Sequence, residues 1–375
     1  MTGSEPAIRP AEAVIDTEAL RHNLGRVRQN APRARVMAVV KADAYGHGLI
    51  PVARALASHV EALAVATCGE GLALRRAGIE TPLVVLHGMH TVEEWKLALQ
   101  ATLVPVLHDP AQLPGLIEAA GSAGAPRMLW FKLDTGMHRL GLGCEQVAAL
   151  LDRLRALPGD PQIGWMTHFA EADDPRSSFT TEQIERFRRC LRDRPGPRSL
   201  ANSAAILAHP DSHADWVRPG IMLYGASPLA GKLGPELGLR PAMRLQAPLL
   251  AVRELRKGEG IGYGRTWQAP RDMTVGIVAA GYGDGYPRHA PSGTPVGLRG
   301  REVALIGRVS MDMLAIDLSG IERPRPGEPV ELWGETVPVD RVAAASGTIG
   351  YELLCAVAGR TRHREATTGF SAPDT

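Results

Sequence analysis

The chain has 375 residues, of which 45% are hydrophobic, and its formal net charge is +2. This length exceeds one ordinary domain, so the sequence predicts two domains, and the hydrophobic content excludes a disordered chain. The near-neutral charge gives no reason to expect nucleic acid binding, and no apolar stretch is long enough to span a bilayer. The N-terminus shows no secretory signal, and the four cysteines fit neither a zinc pattern nor a dense disulfide framework. We therefore expect a reduced, cytoplasmic protein without a metal site.

Short apolar runs alternate with longer amphipathic stretches from about residue 31 to residue 225. Eight runs of strand length, separated by stretches that fit helices, predict a (β/α)8 barrel, although the last three runs have weak periodicity. The eight runs are Val36–Val40, Ala62–Ala66, Pro82–Leu86, Leu103–Leu107, Met128–Leu133, Ile163–Met166, Arg198–Ala201 and Trp216–Arg218.

After about Leu239 the segments become short, rich in apolar and β-branched residues, and separated by glycine and proline. This change predicts a mainly β second domain. We place the barrel domain at residues 12–238 and the β domain at residues 239–375, with a linker near residues 226–240. The predicted strands of the second domain are Gln246–Leu255, Met273–Ala279, Thr294–Leu298, Val303–Ile306 and Pro329–Trp333.

The first apolar run ends at a single lysine, Lys41, which precedes a polar, glycine-punctuated loop. Lysine is rarely buried unless another group pairs with it, and a desolvated lysine becomes an available nucleophile. Such an amine can form a Schiff base with a carbonyl compound such as pyridoxal 5'-phosphate (PLP). From this stretch alone, a lysine that reaches solvent at the end of its strand is an equally good interpretation.

Polar residues also follow later runs, at the barrel face where active sites lie. Each has an ordinary structural interpretation, such as a surface cation, a hydrogen-bonded core histidine or a helix cap. Their joint placement at consecutive strand ends favours a site. These residues are Lys132, Asp134, Arg139, His168, Asn202, Ser203 and the turn Arg218–Ile221.

The residues after the seventh and eighth runs predict a phosphate site, because barrels often bind phosphate there. Backbone N–H groups of Gly220 and Ile221 can point at phosphate oxygens, whereas Pro219 has no N–H to donate. Gly220 also allows the backbone to approach a ligand closely.

Ordered motifs along nearly the whole chain carry a family resemblance. They are Ala38–Gly48, Lys132–Gly141, Thr167–Phe169, Ala201–Ser203, Arg218–Gly225, Ile261–Gly264, Gly281–Arg288, Gly307–Asp312 and Ile349–Glu352. In these residues the chain resembles the alanine racemase family. The resemblance implies an N-terminal barrel, a C-terminal β domain that residues 1–11 join, and a homodimer with shared active sites. It also implies PLP-dependent interconversion of L-alanine and D-alanine, for cell-wall peptidoglycan or for alanine breakdown.

The resemblance assigns two bases to this reaction. It implies that Lys41 holds PLP and acts on one face of the substrate α-carbon, and that Tyr263 acts on the other. Racemisation removes a proton from one face and delivers it to the other, so two bases suit the chemistry. His168 is implied to ease the ionisation of Tyr263. Arg218 is implied to hydrogen-bond the pyridine nitrogen, which then stays unprotonated because arginine does not give up its proton.

The resemblance also implies the remaining contacts. The other cofactor-binding residues are Tyr45, Arg139, Asn202, Ser203, Gly220, Ile221 and Tyr351. The substrate-binding residues are Arg139, Tyr282, Met311 and Asp312, with Tyr263, Met311 and Asp312 contributed by the partner subunit. Tyr282 and Tyr351 are implied to narrow the entrance, and Lys132 matches a lysine that many family members carbamylate to support the arginine.

Three other functions remain open at this stage. A broader amino-acid racemase of the same fold is disfavoured by the bulk of Tyr282 and Tyr351. A PLP-dependent decarboxylase is disfavoured by a second base at Tyr263. A non-enzymatic PLP-carrying barrel protein is disfavoured by the long second domain.

Overall fold

The computed structural model describes residues 10–157, 159–357 and 359–366. The strands are β1 (Glu12–Ile15), β2 (Arg35–Val39), β3 (Ala62–Val65), β4 (Leu83–Val85), β5 (Val104–Leu107), β6 (Met128–Lys132), β7 (Gln162–Met166), β8 (Arg198–Asn202), β9 (Trp216–Arg218), β10 (Met243–Leu255), β11 (Gly260–Ile261), β12 (Trp267–Gln268), β13 (Met273–Val278), β14 (Pro295–Leu298), β15 (Arg301–Ile306), β16 (Leu314–Asp317), β17 (Pro329–Trp333) and β18 (Arg362–Glu365). The helices are α1 (Thr17–Asn30), α2 (Lys41–Gly46, a left-handed turn), α3 (Leu49–Ala57), α4 (Cys68–Arg76), α5 (Val92–Gln100), α6 (Gln112–Ala123), α7 (Gln146–Leu154), α8 (Phe179–Cys190), α9 (Ser203–Ala208), α10 (Val339–Ala345) and α11 (Gly350–Cys355).

Strands β2 to β9 close into a parallel barrel in chain order, and helices cover its outside. Barrel strands are buried on both faces, which explains why they read as continuous apolar runs rather than as alternating patterns. Val36, Met37, Ala38, Leu63 and Phe131, for example, have no measurable exposure. The prediction of an N-terminal barrel and a mainly β second domain is confirmed.

The second domain is built on an eight-stranded sheet in the order β13-β16-β15-β14-β17-β10-β1-β18, with β13 also pairing with β10. The long strand β10 takes part in both halves of the sheet, because it pairs with β1, β13 and β17. The pair β1–β18 is parallel, whereas the other pairs of this sheet are antiparallel.

Strand β1 belongs to the second sheet by its hydrogen bonds, although the predicted barrel domain begins at residue 12. It lies between β10 and β18, so the chain enters the barrel only after Ile15. Most of residues 1–11, which the sequence assigns to the β domain, lie outside the described residues. The domain limits therefore stay a prediction.

The second domain also reaches the mouth of its own barrel, at the carboxyl ends of the strands. Helix α11 packs on the left-handed turn so closely that a Cβ on Gly46 would lie 2.1 Å from the carbonyl oxygen of Leu354. Gly46 has a φ of 77°, which also favours glycine. His363 of β18 adds a hydrogen bond of 2.9 Å from its Nε2 to the carbonyl oxygen of Gly46. These contacts tie the two domains together beside Lys41.

One cysteine pair differs from the sequence-based expectation of reduced thiols. Cys144 and Cys190 form a disulfide, with their Cα atoms 5.5 Å apart. The two residues are 46 positions apart in the chain, and neighbouring helices of the barrel bring the start of α7 beside the end of α8. Sequence spacing cannot show this proximity. In the described part of the chain, no helix has both the length and the apolar character that crossing a membrane requires.

Candidate active site

A cavity of about 740 Å³ opens at the carboxyl ends of the barrel strands. Most of the residues that the sequence singled out line it together, because parallel strands of a barrel end at one face. They are Lys41, Tyr45, Lys132, Arg139, His168, Asn202, Ser203, Arg218, Gly220, Ile221 and Tyr351. This volume is in the range of small-molecule and cofactor sites.

Lys41 directly follows β2, and its backbone continues into the left-handed turn α2. Burial lowers the pKa of Lys41, and the nearby Arg139 lowers it further, whereas Glu70 and Cys355 oppose this effect. A lowered pKa increases the fraction of the neutral amine, which is the form that attacks a carbonyl or accepts a proton.

Arg218 is buried at the end of β9, and its guanidinium is held by β8 and by the residue that follows β7. Its terminal nitrogens donate to the carbonyl oxygens of Ser199 at 2.8 Å, Thr167 at 2.5 Å and Leu200 at 3.2 Å, and to the Ser199 hydroxyl at 2.7 Å. Within the described part of the chain, all of the hydrogen bonds of Arg218 use Nη1 or Nη2. The Nε–H group of Arg218 is therefore the donor that remains for a ligand in the cavity.

His168 lies beside this arginine, with Nδ1 at 3.4 Å from Nη2 of Arg218. Burial lowers the pKa of His168 well below its usual value, and the charges of Arg218 and Lys132 lower it further. The ring is therefore neutral, and because arginine can only donate, Nδ1 is the acceptor. The proton then sits on Nε2, which can donate to another group.

The ends of β8 and β9 hold the residues that the sequence predicts for phosphate binding, and this end of the cavity is called the phosphate pocket below. Gly220 donates its backbone N–H to the Ser203 hydroxyl at 2.8 Å, and a Cβ on Gly220 would lie 2.5 Å from the hydroxyl of Tyr45. Asn202 caps α9 by accepting from Ala205 at 3.0 Å, so Ser203 is the first residue of the helix rather than its cap. Burial raises the pKa of Tyr45, which keeps its phenol protonated and able to donate a hydrogen bond.

Lys132 ends β6 and lines the same cavity. Burial lowers the pKa of Lys132 to about 8, with further lowering by Arg218, Arg139 and Lys41. These four cationic side chains line one cavity. A cavity of this kind suits a ligand that carries both a phosphate and a carboxylate.

Of the site residues predicted in the second domain, Tyr351 lines this cavity, whereas Tyr263, Tyr282, Met311 and Asp312 do not. Tyr263 is 69% exposed, Met311 53% and Tyr282 39%, which is unusual for large hydrophobic side chains. Backbone hydrogen bonds hold Tyr282 to Ser310 at 3.0 Å, and Arg360 pairs with Asp312 at 3.0 Å. The structure therefore gathers the barrel residues and Tyr351, and leaves Tyr263, Tyr282, Met311 and Asp312 elsewhere on the same chain.

Four further cavity residues with ionisable side chains were missed by the sequence interpretation. His87 and His90 follow β4, His108 follows β5, and Cys355 ends α11. The strand-end rule that selected Lys132 also applies to His87 and His108, so they could have been found. Burial lowers the pKa of both histidines, and both are therefore neutral near pH 7. Within the described ranges, no group of three or more His, Cys, Asp or Glu side chains is placed to hold a metal ion.

PLP requires an amine for its aldehyde, donors for its phosphate and a partner for its ring nitrogen. The cavity supplies Lys41, the pocket around Ser203 and Gly220, and the Nε–H of Arg218 for these three needs. A side chain at position 220 would collide with the Tyr45 hydroxyl, so glycine lets these groups come together at this end of the cavity. The residues fit the cofactor, and the fold and cavity define a PLP-dependent barrel enzyme.

Comparison with known proteins narrows this class to one family. Residues 15–228 match the family model for the alanine racemase N-terminal domain, and residues 242–365 match the model for its C-terminal domain. The chain belongs to the alanine racemase family, a family of PLP-dependent isomerases, and the prediction from the motifs is confirmed.

Similar proteins cover nearly the whole chain. An alanine racemase of Thioalkalivibrio sulfidiphilus is 52% identical over 356 residues, which are 94% of this chain and 98% of that protein. The crystal structure of biosynthetic alanine racemase from Pseudomonas aeruginosa is 46% identical, with a TM-score of 0.89, covering 96% of this chain and 100% of that chain. Alanine racemase from Bartonella henselae, crystallised with covalently bound pyridoxal phosphate, is 27% identical, with a TM-score of 0.85 and coverage of 95% and 99%.

Proposed function

We propose that this chain interconverts L-alanine and D-alanine with PLP, at a site completed by a second copy of the chain. The observation that carries the shared site is the separation between Lys41, which lines the cavity, and Tyr263, which is exposed on the second domain. A two-fold dimer in which each β domain covers the partner's barrel mouth brings these two residues together. The proposal includes a cytoplasmic location and a product that serves peptidoglycan synthesis or alanine breakdown.

Bound PLP withdraws electrons from the α-carbon of the amino acid attached to it and so acidifies its proton. Lys41 attaches the cofactor and moves the α-proton on one face, for which its lowered pKa suits it. Tyr263 of the second copy moves the proton on the opposite face. Neutral His168 supports Tyr263 by donating from Nε2, because its Nδ1 already accepts from Arg218.

Arg218 tunes the cofactor by donating its Nε–H to the ring nitrogen. The pKa of Arg218 is lowered by burial to about 10, which still leaves the guanidinium charged near pH 7. It therefore keeps its proton, so that bound PLP would have an unprotonated ring nitrogen and would withdraw electrons only moderately. The proton abstracted from alanine is then returned quickly, and side reactions are limited.

The remaining residues bind the two anionic groups. Each can offer an anion a hydroxyl, an N–H group or a cationic side chain. The phosphate is bound by Tyr45, Asn202, Ser203, Gly220, Ile221 and Tyr351. The substrate carboxylate is bound by Arg139 and by Met311 and Asp312 of the second copy, and Tyr282 of that copy narrows the entrance.

Lys132 is proposed to be carbamylated. A lysine whose pKa is about 8 has a substantial neutral fraction near pH 7, and the neutral amine is the form that reacts with carbon dioxide. The resulting anion is stabilised by the surrounding charges of Arg139, Arg218 and Lys41, and it in turn fixes Arg139.

Substitution of Tyr263 by phenylalanine tests the two-base arrangement. By the family pattern, Tyr263 takes the proton from L-alanine and Lys41 takes it from D-alanine. Tyr263→Phe removes the phenol and keeps the ring, so exchange of the α-proton should fall more from L-alanine than from D-alanine. A drop of about 100-fold or more is expected for L-alanine, because a general base commonly contributes that much.

The exchange is measured by proton NMR in deuterated water, starting from each enantiomer separately. Tyr286→Phe is a matched control, because Tyr286 is buried in the second domain away from the cavity. Equal loss of exchange from both enantiomers of alanine argues against separate bases.

Tyr351 is expected to set the size of the substrate side chain. Its ring lies beside Tyr45, with centroids 6.1 Å apart, at the wall of the cavity. Tyr351→Ala should weaken PLP binding and raise the rate with serine relative to alanine. The loss of optical rotation with alanine, serine and lysine measures both the wild-type specificity and this change. An unchanged serine-to-alanine ratio shows that another residue limits the size.

A further inference from the structure

The segment after Lys41 has an unusual backbone. Ala42, Asp43, Ala44 and Tyr45 all have φ values of 52–53°, so four consecutive residues other than glycine are left-handed. L-residues disfavour this conformation because Cβ crowds the following carbonyl oxygen, and they visit it mostly as single residues. Such a run persists only where its surroundings hold it, and these places are often functional.

The turn connects the two ends of the proposed cofactor site. Lys41 stands at its start, and Tyr45 at its end packs its ring on Tyr224, with centroids 4.7 Å apart. The hydroxyl of Tyr45 lies against Gly220 in the phosphate pocket. The shape of the turn therefore sets how far the amine of Lys41 lies from the group that holds the phosphate.

Hydrogen bonds within the segment close the turn itself. Ala44 donates to the carbonyl oxygen of Val40 at 2.9 Å, and Gly48 donates to that of Asp43 at 3.0 Å. The carboxylate of Asp43 also accepts from the backbone N–H of Leu49 at 2.6 Å. None of these bonds uses the backbone N–H of Ala42, the first left-handed residue of the turn.

Glu70, from the next unit of the barrel, accepts that N–H. Its Oε1 lies 2.8 Å from the backbone nitrogen of Ala42, while its Oε2 accepts from Ala66 at 2.8 Å and Thr67 at 3.1 Å. One carboxylate thus joins the loop after β2 to the loop after β3. The negative charge of the same carboxylate raises the pKa of Lys41 and so offsets part of the lowering by burial.

The next helix of the barrel offers a comparison within the same chain. Glu94 occupies the corresponding position of α5, where Thr91 caps the helix, and its Oε2 accepts from the backbone N–H of His90 at 2.7 Å. Thr67 caps α4 in the same way, by accepting from Glu70 at 3.3 Å. Both glutamates complete a helix start, but Glu70 in addition holds the turn that carries Lys41.

We propose that Glu70 is a positioning residue that holds the left-handed turn, and thereby sets the positions of Lys41 and Tyr45 for cofactor binding. This inference rests on the proposed roles of those two residues. Without Glu70 the N–H of Ala42 loses its acceptor, and the turn can relax toward right-handed conformations. The distance between the amine of Lys41 and the phenol of Tyr45 then no longer matches the length of PLP from its aldehyde to its phosphate.

The test compares Glu70→Ala with Glu94→Ala in the purified full-length protein with its cofactor. Both variants remove a glutamate from the start of a helix, so both should lower the thermal midpoint, and Glu70→Ala should lower it more because Glu70 accepts more backbone bonds. Glu70→Ala alone should accelerate amide hydrogen exchange in the segment 41–48 and increase the rate of PLP release about tenfold or more, because small displacements of site residues have large effects. Mass spectrometry measures the exchange, and absorbance after gel filtration measures the release.

Glu70→Gln gives a second, milder variant. Its amide has one oxygen, so it cannot accept from Ala42 and from Ala66 together, and an intermediate acceleration of exchange in segment 41–48 is expected. This variant decides the question if Glu70→Ala does not fold. Wild-type exchange of segment 41–48 in Glu70→Gln, or equal PLP release from Glu94→Ala and Glu70→Ala, overturns the proposal. Hydrogen exchange does not depend on turnover, so this outcome is distinct from a failure of the proposed racemase function.

Discussion

Substitution of Lys41 by alanine should reduce racemisation of alanine by at least about 1,000-fold, since a positioned base alone contributes on the order of 100- to 10,000-fold. The variant loses both the amine that attaches PLP and the base on one face of the substrate. Both losses follow from the place of Lys41 at the end of β2, inside the cavity and with a lowered pKa. The rate is measured by the change in optical rotation from either enantiomer.

Chemical labelling provides the control for this assignment. Borohydride treatment of the wild-type protein followed by peptide mapping should place the pyridoxyl group on Lys41. Lys257→Ala, which removes an exposed lysine of the second domain, should leave the label and the rate unchanged. A pyridoxyl group on any lysine other than Lys41 contradicts the proposed site.

Mixing two inactive variants should restore activity if each site uses residues of two chains. The Lys41→Ala and Tyr263→Phe dimers are each expected to be nearly inactive. After they are unfolded and refolded together, about half of the dimers are mixed, and each mixed dimer has one site with both defects and one intact site. The mixture should therefore recover roughly a quarter of the wild-type activity, from the symmetry of the pairing.

The expected recovery of activity in mixed dimers depends on where Tyr263 lies. Its side chain is 69% exposed and is not among the residues that line the cavity with Lys41. A mass difference introduced by a tag on one variant shows whether mixed dimers have formed. If they have formed and the mixture stays as inactive as its parents, both bases belong to one chain and the shared site is wrong.

The barrel was predictable because its strands are buried on both faces and therefore consist of continuous apolar residues. The run Trp216–Arg218 has the same limits as β9 even though its periodicity is weak. Strand β18 was not predicted, since Arg362–Glu365 contains no apolar residue and pairs only with β1 in the sheet. Short charged strands at sheet edges carry little hydrophobic signal.

The barrel part of the site followed from one rule, that functional side chains lie where barrel strands end. Lys41, Lys132 and Arg218 all obey it and line one cavity. Tyr263 and Met311 could be connected with the site only through the family resemblance, and their roles stay a prediction.

Contacts between distant segments were beyond the sequence. Nothing in the residue types of Ala42 or Tyr45 indicates a left-handed backbone, because neither residue favours it. The bond from Ala42 to Glu70 and the pairing of Cys144 with Cys190 depend on how neighbouring barrel units pack. Such proximity becomes visible only once the chain is folded.

The place of β1 between β10 and β18 has a consequence for the chain during its synthesis. The ribosome makes β1 before the barrel, whereas its two partners, β10 and β18, are made after the barrel. Since N-terminal domains generally fold first during synthesis, β1 has no strand to pair with while the barrel folds. It gains its second neighbour only when Arg362–Glu365 has emerged. Premature termination before these residues therefore leaves one edge of β1 open to pairing with other nascent chains.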